Sequence, residues 1–374
     1  MTAGADPDRT QLDDRVLAWL REPDAIQASV AETEERFRAL ALDLFAFQFE
    51  HCVPYRRFCE GRGRTPGNVA RWQDIPAVPT GAFKEVALRS FPAARTAHVF
   101  RTSGTSTAAR GALHLDTLAL YEASLLPNFL AHVLPDLAAR PLVMRVLAPS
   151  AQAQPDSSLS HMFDTVLREA PLAGGGFDWD ALQPDPSACI QRLERIAAEG
   201  PAIALCGTSF AFVHLLDAMT ERKCRLALPE GSRVMETGGF KGRSRELDAK
   251  SLREGIAEQV GIPVARIVNQ YGMTELASQF YDSVLRRPGE PRRKLAPPWT
   301  RVRFVDPASG EDVASGEPGA IVIVDLANTG SVQAVQTADL GRATGDGFEV
   351  LGREPGAEAR GCSIAADTML AAGA

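Results

Sequence analysis

The chain has 374 residues, is 45% hydrophobic and 23% charged, and carries a formal net charge of −7. These values fit a soluble globular protein built as one large domain or two to three packed subdomains. The acidic balance excludes a broad nucleic-acid surface, and no run approaches the ~20 apolar residues of a membrane span.

The polar stretch at residues 1–9 lacks the apolar core of an export signal. Next, Leu12, Val16, Trp19 and Leu20 recur at helical spacing, which predicts an amphipathic helix over 11–22, ended or offset by Pro23. A longer helix is expected over 25–59, with Val30, Phe37, Leu40, Leu44, Phe45 and Phe49 on one broad face and a kink or end at Pro54. It would set Cys52 and Cys59 seven apart on a shared face. Neither these nor Cys189, Cys206, Cys224 and Cys362 show metal-like pairing, and reduced thiols in a cytoplasm fit best. Residues 75–79 read as extended, because each residue before a proline is pushed out of the helical region.

The apolar run Val99-Phe-Arg then feeds a loop of hydroxyls and glycine, Thr102-Ser103-Gly104-Thr105-Ser106-Thr107, with a helical pattern starting near Asp116. Such a loop can surround phosphates with N–H and O–H donors, and Arg110 adds charge. A flexible turn is the plainer alternative, and the spacing is not that of a Walker loop. Residues 142–148 read as a buried strand, followed by a polar loop through His161 and Met162. His161 is either a pocket residue or an ordinary structural histidine. Residues 174–176 read as a glycine loop, 186–199 as a helix, and 202–205 and 233–236 as strands. The latter opens into Thr237-Gly238-Gly239, where paired glycines permit close backbone approach to a ligand.

Residues 262–268 read as a short β-branched strand leading into Asn269-Gln270-Tyr271-Gly272-Met273-Thr274-Glu275. Tyr271 offers a flat face, Thr274 a hydroxyl and Glu275 a carboxylate suited to Mg²⁺, a set that suits a nucleotide. The plainer alternative is a strand-to-helix turn with Glu275 in the first helical turn, where the helix dipole favours it. Strands alternating with helices from about 100 to 290 predict a layered α/β fold with a largely parallel sheet. Ligands bind beyond the carboxyl ends of such strands, and the loops at 102–107, 207–209, 237–239 and 269–275 all fall at predicted strand ends. After Pro297 the short strands 301–305, 320–324 and 348–351, separated by Gly/Pro/Asp turns, predict a small antiparallel β subdomain. Asp339, between the last two, either accepts bonds from a ribose diol or is a turn aspartate. Cys362 lies two residues after Arg360, a cation that would lower a thiol pKa; the plainer alternative is an incidental cysteine.

Thr102-Ser-Gly-Thr-Ser106, Tyr271-Gly-Met-Thr-Glu275, Thr337-Ala-Asp339 and Gly352-Arg353 stand in the order found in adenylate-forming enzymes, which the chain resembles. Pro155-Asp-Ser-Ser-Leu159, Glu236-Thr-Gly-Gly-Phe-Lys-Gly242 and Arg360-Gly-Cys-Ser363 resemble, more narrowly, the acyl-protein synthetases, or long-chain-fatty-acid–protein ligases. The resemblance implies the large-domain fold of that superfamily, lacking most of the C-terminal lid. Its divisions would be a helical segment (1–70), an α/β adenylation core (71–297), a small β subdomain (298–352) and a tail (353–374) carrying Cys362.

It also implies roles. Thr102, Ser103, Gly104, Thr105 and Ser106 would hold the β,γ-phosphates of ATP. Gly238 and Gly239 would lie along adenine and the acyl carboxylate. Gln270, Tyr271, Gly272, Met273 and Thr274 would line the nucleotide, with Tyr271 stacked on adenine and Thr274 on the α-phosphate. Glu275 would hold Mg²⁺, Asp339 the ribose, with Arg353 reaching the same ligand, and Cys362 would receive the acyl group. Thr107 stands where the superfamily loop usually has Gly, Arg110 stands near its usual Lys, and no counterpart of the lid lysine is present. The implied activity is ATP-dependent activation of a carboxylic, fatty acid and its transfer through Cys362 to a partner such as a reductase or carrier. Two alternatives remain: a biosynthetic ligase that joins a small or aromatic acid to an amine or carrier thiol, and a lidless protein that only binds an acid or adenylate.

Overall fold

The structure is a computed structural model that describes residues 7–102, 110–179, 185–238, 248–353 and 369. It opens with α1 (Pro7–Leu20), α2 (Val30–His51) and α3 (Val53–Glu60). α2 starts at a capping box: the Glu32 N–H donates to Ser29 Oγ (3.3 Å) and the Ser29 N–H donates to the Glu32 carboxylate (2.8 Å). The long helix expected over 25–59 is therefore two. Cys52 is the break, with φ −106° and ψ 89°, and Pro54 stands in the first turn of α3, where its missing N–H has no intrahelical partner to lose. Cys52 thus shares no helical face with Cys59, although both thiols are buried.

β1 (Val78–Pro79), α4 (Ala82–Glu85), β2 (His98–Arg101) and β3 (Ala112–Leu115) follow. β2 and β3 pair antiparallel, His98 opposite Leu115 and Arg101 opposite Ala112. These two strands flank the hydroxyl loop in sequence, and the helix expected near Asp116 comes later as α5 (Ala119–Val133). The alternating sequence Ala-Leu-His-Leu buries Leu113 and Leu115 on one face, a period-2 signal too short to stand out. The chain continues through β4 (Val143–Leu147), α6 (Ser158–Glu169), β5 (Gly174–Phe177), α7 (Pro186–Glu199), β6 (Ile203–Thr208), α8 (Ser209–Glu221), β7 (Arg233–Thr237), α9 (Ala249–Val260) and β8 (Ile267–Tyr271). Then come β9 (Phe280–Asp282), β10 (Lys294–Leu295), β11 (Thr300–Val305), β12 (Gly319–Asp325), β13 (Ala334–Thr344) and β14 (Gly347–Arg353).

Two compact units divide these elements. The inner one comprises Leu126–Gly272 and Phe280–Leu295; the flanking one comprises Met1–Leu125, Met273–Gln279 and Ala296–Ala374. In the inner unit β5, β4, β6, β7 and β8 run parallel in that spatial order, and β9 and β10 add antiparallel. Ile190, Leu193, Phe212, Leu215, Met219, Leu252 and Ile256 from α7, α8 and α9 pack on Ile203, Leu205, Val234 and Ile267 of the sheet. Every residue of β7 is buried, as a strand covered on both faces requires. Two expected loops are regular structure. His161 lies in α6, capped by Ser157, whose Oγ accepts the Ser160 N–H at 3.1 Å. The glycines at 174–176 are an edge strand: a Cβ on Gly175 would sit 2.5 Å from Leu167 Cδ2 and 2.6 Å from the Met144 carbonyl.

In the flanking unit β11, β12, β13 and β14 form an antiparallel run, and β1 joins β13 in parallel, Val78 opposite Val335. The expected antiparallel strands are present, with one strand more than the sequence signals. β13 passes through Thr337, Asp339 and Gly341, where turn-forming residues mask a strand that shifts register between Leu340 and Gly341. Among the described residues, no helix is long and apolar enough to cross a membrane.

Candidate active site

β8 begins at Ile267, after a 3-10 turn at 264–266, so Asn269, Gln270 and Tyr271 are themselves strand. No helix follows. The chain turns through 272–279 and returns as β9, with Gln270 opposite Tyr281 and Tyr271 opposite Phe280. This removes the plainer reading of the segment: Glu275 is not in a helical first turn, and no helix dipole accounts for an acid there.

In the flanking unit, Glu275 is positioned through its backbone. Asn328 Nδ2 donates to its carbonyl at 3.0 Å. The next N–H groups, of Ala277 and Ser278, donate to Asp325 Oδ2 at 2.9 and 2.8 Å, and Ser278 Oγ donates to Asp325 Oδ1 at 2.8 Å. Trp299 Nε1 donates to Ser278 Oγ at 3.1 Å, and Ser124 Oγ donates to the Ala277 carbonyl at 2.6 Å. Burial pushes the Asp325 carboxyl up to about 6, against the opposing effect of these donors.

Thr102 and Gly111 close the neck of the β2–β3 hairpin. The Thr102 N–H donates to the Gly111 carbonyl (2.9 Å), the Gly111 N–H donates to Thr102 Oγ1 (3.0 Å), and Arg110 Nε donates to the Thr102 carbonyl (2.6 Å). A Cβ built on Gly111 would lie 3.0 Å from Thr102 Cγ2 and 3.5 Å from Glu275 Oε1. Thr102 and Glu275 therefore both lie beside Gly111 at this neck. Ser103, Gly104, Thr105, Ser106 and Thr107 lie outside the described residues, as do Gly239 and Cys362. Elsewhere in the same unit, Asp339 is neither a turn residue nor alone. It faces Arg353 across β13 and β14, with Arg353 Nε 3.6 Å from Asp339 Oδ1. Met273 and Thr274 are half-buried in the turn that precedes Glu275.

The inner unit holds the other expected residues on adjoining strand ends. Thr237 is opposite Gln270, and its Oγ1 is within hydrogen-bonding reach of the Gln270 carbonyl (3.1 Å) and side-chain oxygen. Gly238 follows with φ +88°, a conformation that favours glycine. The Tyr271 and Phe280 rings lie 6.2 Å apart.

A buried polar chain stands behind them. Glu236 Oε1 accepts from Asn269 Nδ2 at 2.7 Å. Lys294 Nζ donates to the Asn269 carbonyl (2.6 Å), to Asn269 Oδ1 and to Asp282 Oδ1 (2.9 Å), and Arg292 pairs with Asp282. Burial pushes Asp282 up, but the Lys294 ammonium and Arg292 guanidinium outweigh it and leave the carboxyl below its usual range. Burial pulls Lys294 down, with Asp282 opposing. Lys294, Asp282, Asp325, Asn328 and Gly111 carried no sequence signal as site residues. The available cue was polar residues interrupting strongly apolar strands, as Asp325 does after Ala320-Ile-Val-Ile-Val324.

A family model described as acyl-protein synthetase, LuxE, matches residues 185–371, half of the chain. The chain belongs to the acyl-protein synthetase family. The long-chain-fatty-acid–luciferin-component ligase of Aliivibrio fischeri is 23% identical over 335 residues, covering 89% of this chain and 84% of its own. The ligase of the same name from Vibrio harveyi is 23% identical over 336 residues, with the same coverage of 89% and 84%. Solved structures of 2-hydroxyisobutyryl-CoA ligase share the fold. Its postadenylation state with 2-HIB-AMP matches at a TM-score of 0.63 and 18% identity over 88% of this chain and 70% of that one. The open conformation matches at 0.61 and 18% identity, over 88% and 77%. An acyl-protein synthetase on this adenylate-forming fold is an acid–thiol ligase: it activates a carboxylic acid with ATP and passes the acyl group to a thiol or partner.

Proposed function

We propose that this acyl-protein synthetase converts a fatty acid to its acyl-adenylate, takes the acyl group on Cys362, and delivers it to a partner protein, a reductase or carrier. The observation that carries the reading is the neck where Thr102 and Glu275 both lie beside Gly111, so that a hydroxyl and a carboxylate from segments far apart in sequence share one neighbour. Carboxylate and hydroxyl oxygens suit Mg²⁺, which commonly takes one or two protein carboxylates and completes its shell with substrate phosphates. Bound there, Mg²⁺ supplies neutralising charge for the triphosphate.

In this reading the loop Thr102–Ser106 cradles the β,γ-phosphates and Thr274 the α-phosphate. Tyr271 covers adenine within a wall formed by Gln270, Gly272 and Met273. Gly238 and Gly239 run beside adenine and the acid, and Asp339 with Arg353 holds the ribose. A carboxylate oxygen of the substrate bonds to the α-phosphorus as the bond to pyrophosphate breaks. Two anions must meet, so donors and dipoles do the work rather than a strong base. The Cys362 thiolate then bonds to the acyl carbon, AMP leaves with the electron pair of the broken C–O bond, and the thiol proton goes to solvent. The other thiols are poor rivals. Burial pushes Cys52 up to about 11 and Cys59 and Cys189 up to about 12; it raises Cys206 and Cys224 as well.

Acid-dependent ATP–pyrophosphate exchange, screened over a series of carboxylic acids, tests the first step. Glu275→Ala is expected to fold and to lose exchange; retained exchange would contradict the metal role. Labelled acyl is expected on the wild-type protein and absent from Cys362→Ser. Label held as thioester by that variant would remove Cys362 from the pathway.

A further inference from the structure

The mechanism leaves unused a buried acid and a buried hydroxyl at the strand end that carries Gly238. Ser209, the first residue of α8, and Glu236, in β7, are each only 2% exposed. Ser209 Oγ lies 2.5 Å from Glu236 Oε2, 2.8 Å from the Gly238 carbonyl and 3.3 Å from the Thr237 carbonyl. Three acceptors surround a hydroxyl that owns one proton.

If Glu236 were ionised, the strongest acceptor would take that proton, and the Gly238 carbonyl would face an oxygen lone pair at 2.8 Å. If Glu236 carries its own proton, both contacts are satisfied. The carboxyl O–H donates to Ser209 Oγ, and the Ser209 O–H donates to the Gly238 carbonyl. Asn269 Nδ2 donates to the other carboxyl oxygen in either case.

The surrounding charges divide. Asp282 and full burial favour the neutral acid; Lys294 and the N-terminal dipole of α8 favour the anion. Lys294, however, is already bonded to Asp282 and to Asn269, whose amide stands between it and Glu236. Burial, the largest influence, holds the Glu236 carboxyl above the usual range, with Ser209 and Asn269 opposing.

We propose that protonated Glu236 and Ser209 are positioning residues that hold the Gly238 carbonyl and so fix the backbone of Gly238, the residue that the proposed function sets beside the acid and adenine. The inference rests on the proposed adenylation site for its consequence. The placement of the proton does not. On ionisation the proton on Glu236 goes to solvent, the Ser209 hydroxyl swings to the new carboxylate, and the Gly238 carbonyl is released. Activity is therefore present below the folded pKa of Glu236 and lost as pH rises through it.

Two measurements test this. An infrared difference spectrum, wild type minus Glu236→Gln, reads the proton without turnover. A protonated-carboxyl stretch at neutral pH is expected, and its absence overturns the proposal even if no acid supports exchange. The second is the pH profile of KM for the acid in pyrophosphate exchange. Wild type should show KM rising at alkaline pH. Glu236→Gln, whose Nε2 donates to Ser209 at every pH, should lack that rise. Ser209→Ala should show a KM that no longer varies with the state of Glu236 and stands about tenfold above the neutral-pH wild-type value, the scale of one hydrogen bond. A Glu236→Gln variant with the wild-type alkaline limb, or a folded Ser209→Ala with wild-type KM, overturns it. Exchange absent from wild type with every acid, together with the infrared band, would instead sink the proposed function and leave the proton in place.

Discussion

The two ends of the segment from Asn269 to Ser278 belong to different compact units and are held by different physics. On the inner side, Asn269 is gripped by ions: Lys294 donates to its carbonyl, and Asp282, paired with Lys294 and Arg292, accepts its N–H at 3.0 Å. On the flanking side, Ala277 and Ser278 are gripped by one carboxylate, Asp325, which meets hydroxyl and N–H donors among its bonded partners and no cation. The difference appears in their titration. Asp282 is held below the usual carboxylate range and Asp325 is pushed up to about 6. An acid with a lowered folded pKa supports the fold above its unfolded pKa and loses that support as pH falls. An acid with a raised one supports it below its unfolded pKa and loses that support as pH rises. One short segment is thus anchored at its two ends with opposite pH slopes.

Removing Asp325 should have the largest effect. Asp325→Ala leaves the N–H groups of Ala277, Ser278 and Ala327 buried and unpaired, an expected loss of about 4 kcal/mol in urea unfolding. A loss below about 1 kcal/mol would mean that the carboxylate is not the anchor. Lys294→Met should cost about 3 kcal/mol, since Asp282 keeps Arg292 as a partner. Adding Asp282→Leu to it should restore part of that loss, and strict additivity of the two changes would dissolve the ionic side of the contrast.

The pH dependence comes next. Between the ordinary aspartate value of 3.8 and about 6, wild type should lose up to about 3 kcal/mol through Asp325, a slope that Asp325→Asn lacks. Parallel stability curves for the two proteins would contradict the assignment. The smallest effect is expected at Arg353, 61% exposed beside Asp339. Arg353→Ala should change stability by less than about 1 kcal/mol. It should nevertheless weaken ATP binding in the proposed site, read as a higher KM for ATP; an unchanged KM would take Arg353 out of that site.

The sequence was informative where one local rule governs. α7 is present over residues 186–199, as its apolar period and Pro186 at the first turn predict. The parallel strands β4, β6 and β7 stand out as short apolar runs bounded by turns. It was least informative where the deciding contact is remote. β13 looks like a turn because Thr337, Asp339 and Gly341 are turn formers, and only its neighbours β12 and β14 make it a strand. The glycines of β5 look like a loop until Leu167 and the Met144 carbonyl show that no side chain fits. Tyr271 and Glu275 were visible as a motif. Asp325, 50 residues further on, and Lys294 were invisible as their supports, because nothing local marks a hydrogen bond to a distant backbone.

The flanking unit takes its pieces from both ends of the sequence, and this has a consequence for synthesis. Gln48 in α2 donates through Nε2 to the Asn328 carbonyl and accepts the Gln333 N–H through Oε1, 280 and 285 residues away. As the polypeptide leaves the ribosome, Gln48 of α2 has no partner there until residues 328–333 are made. The inner unit can close in the meantime. The nascent N-terminal segment, with Gln48 still lacking its partners, is then a stretch exposed to chaperones and to aggregation, and destabilising changes there should lower yield more than they lower the activity of the molecules that mature.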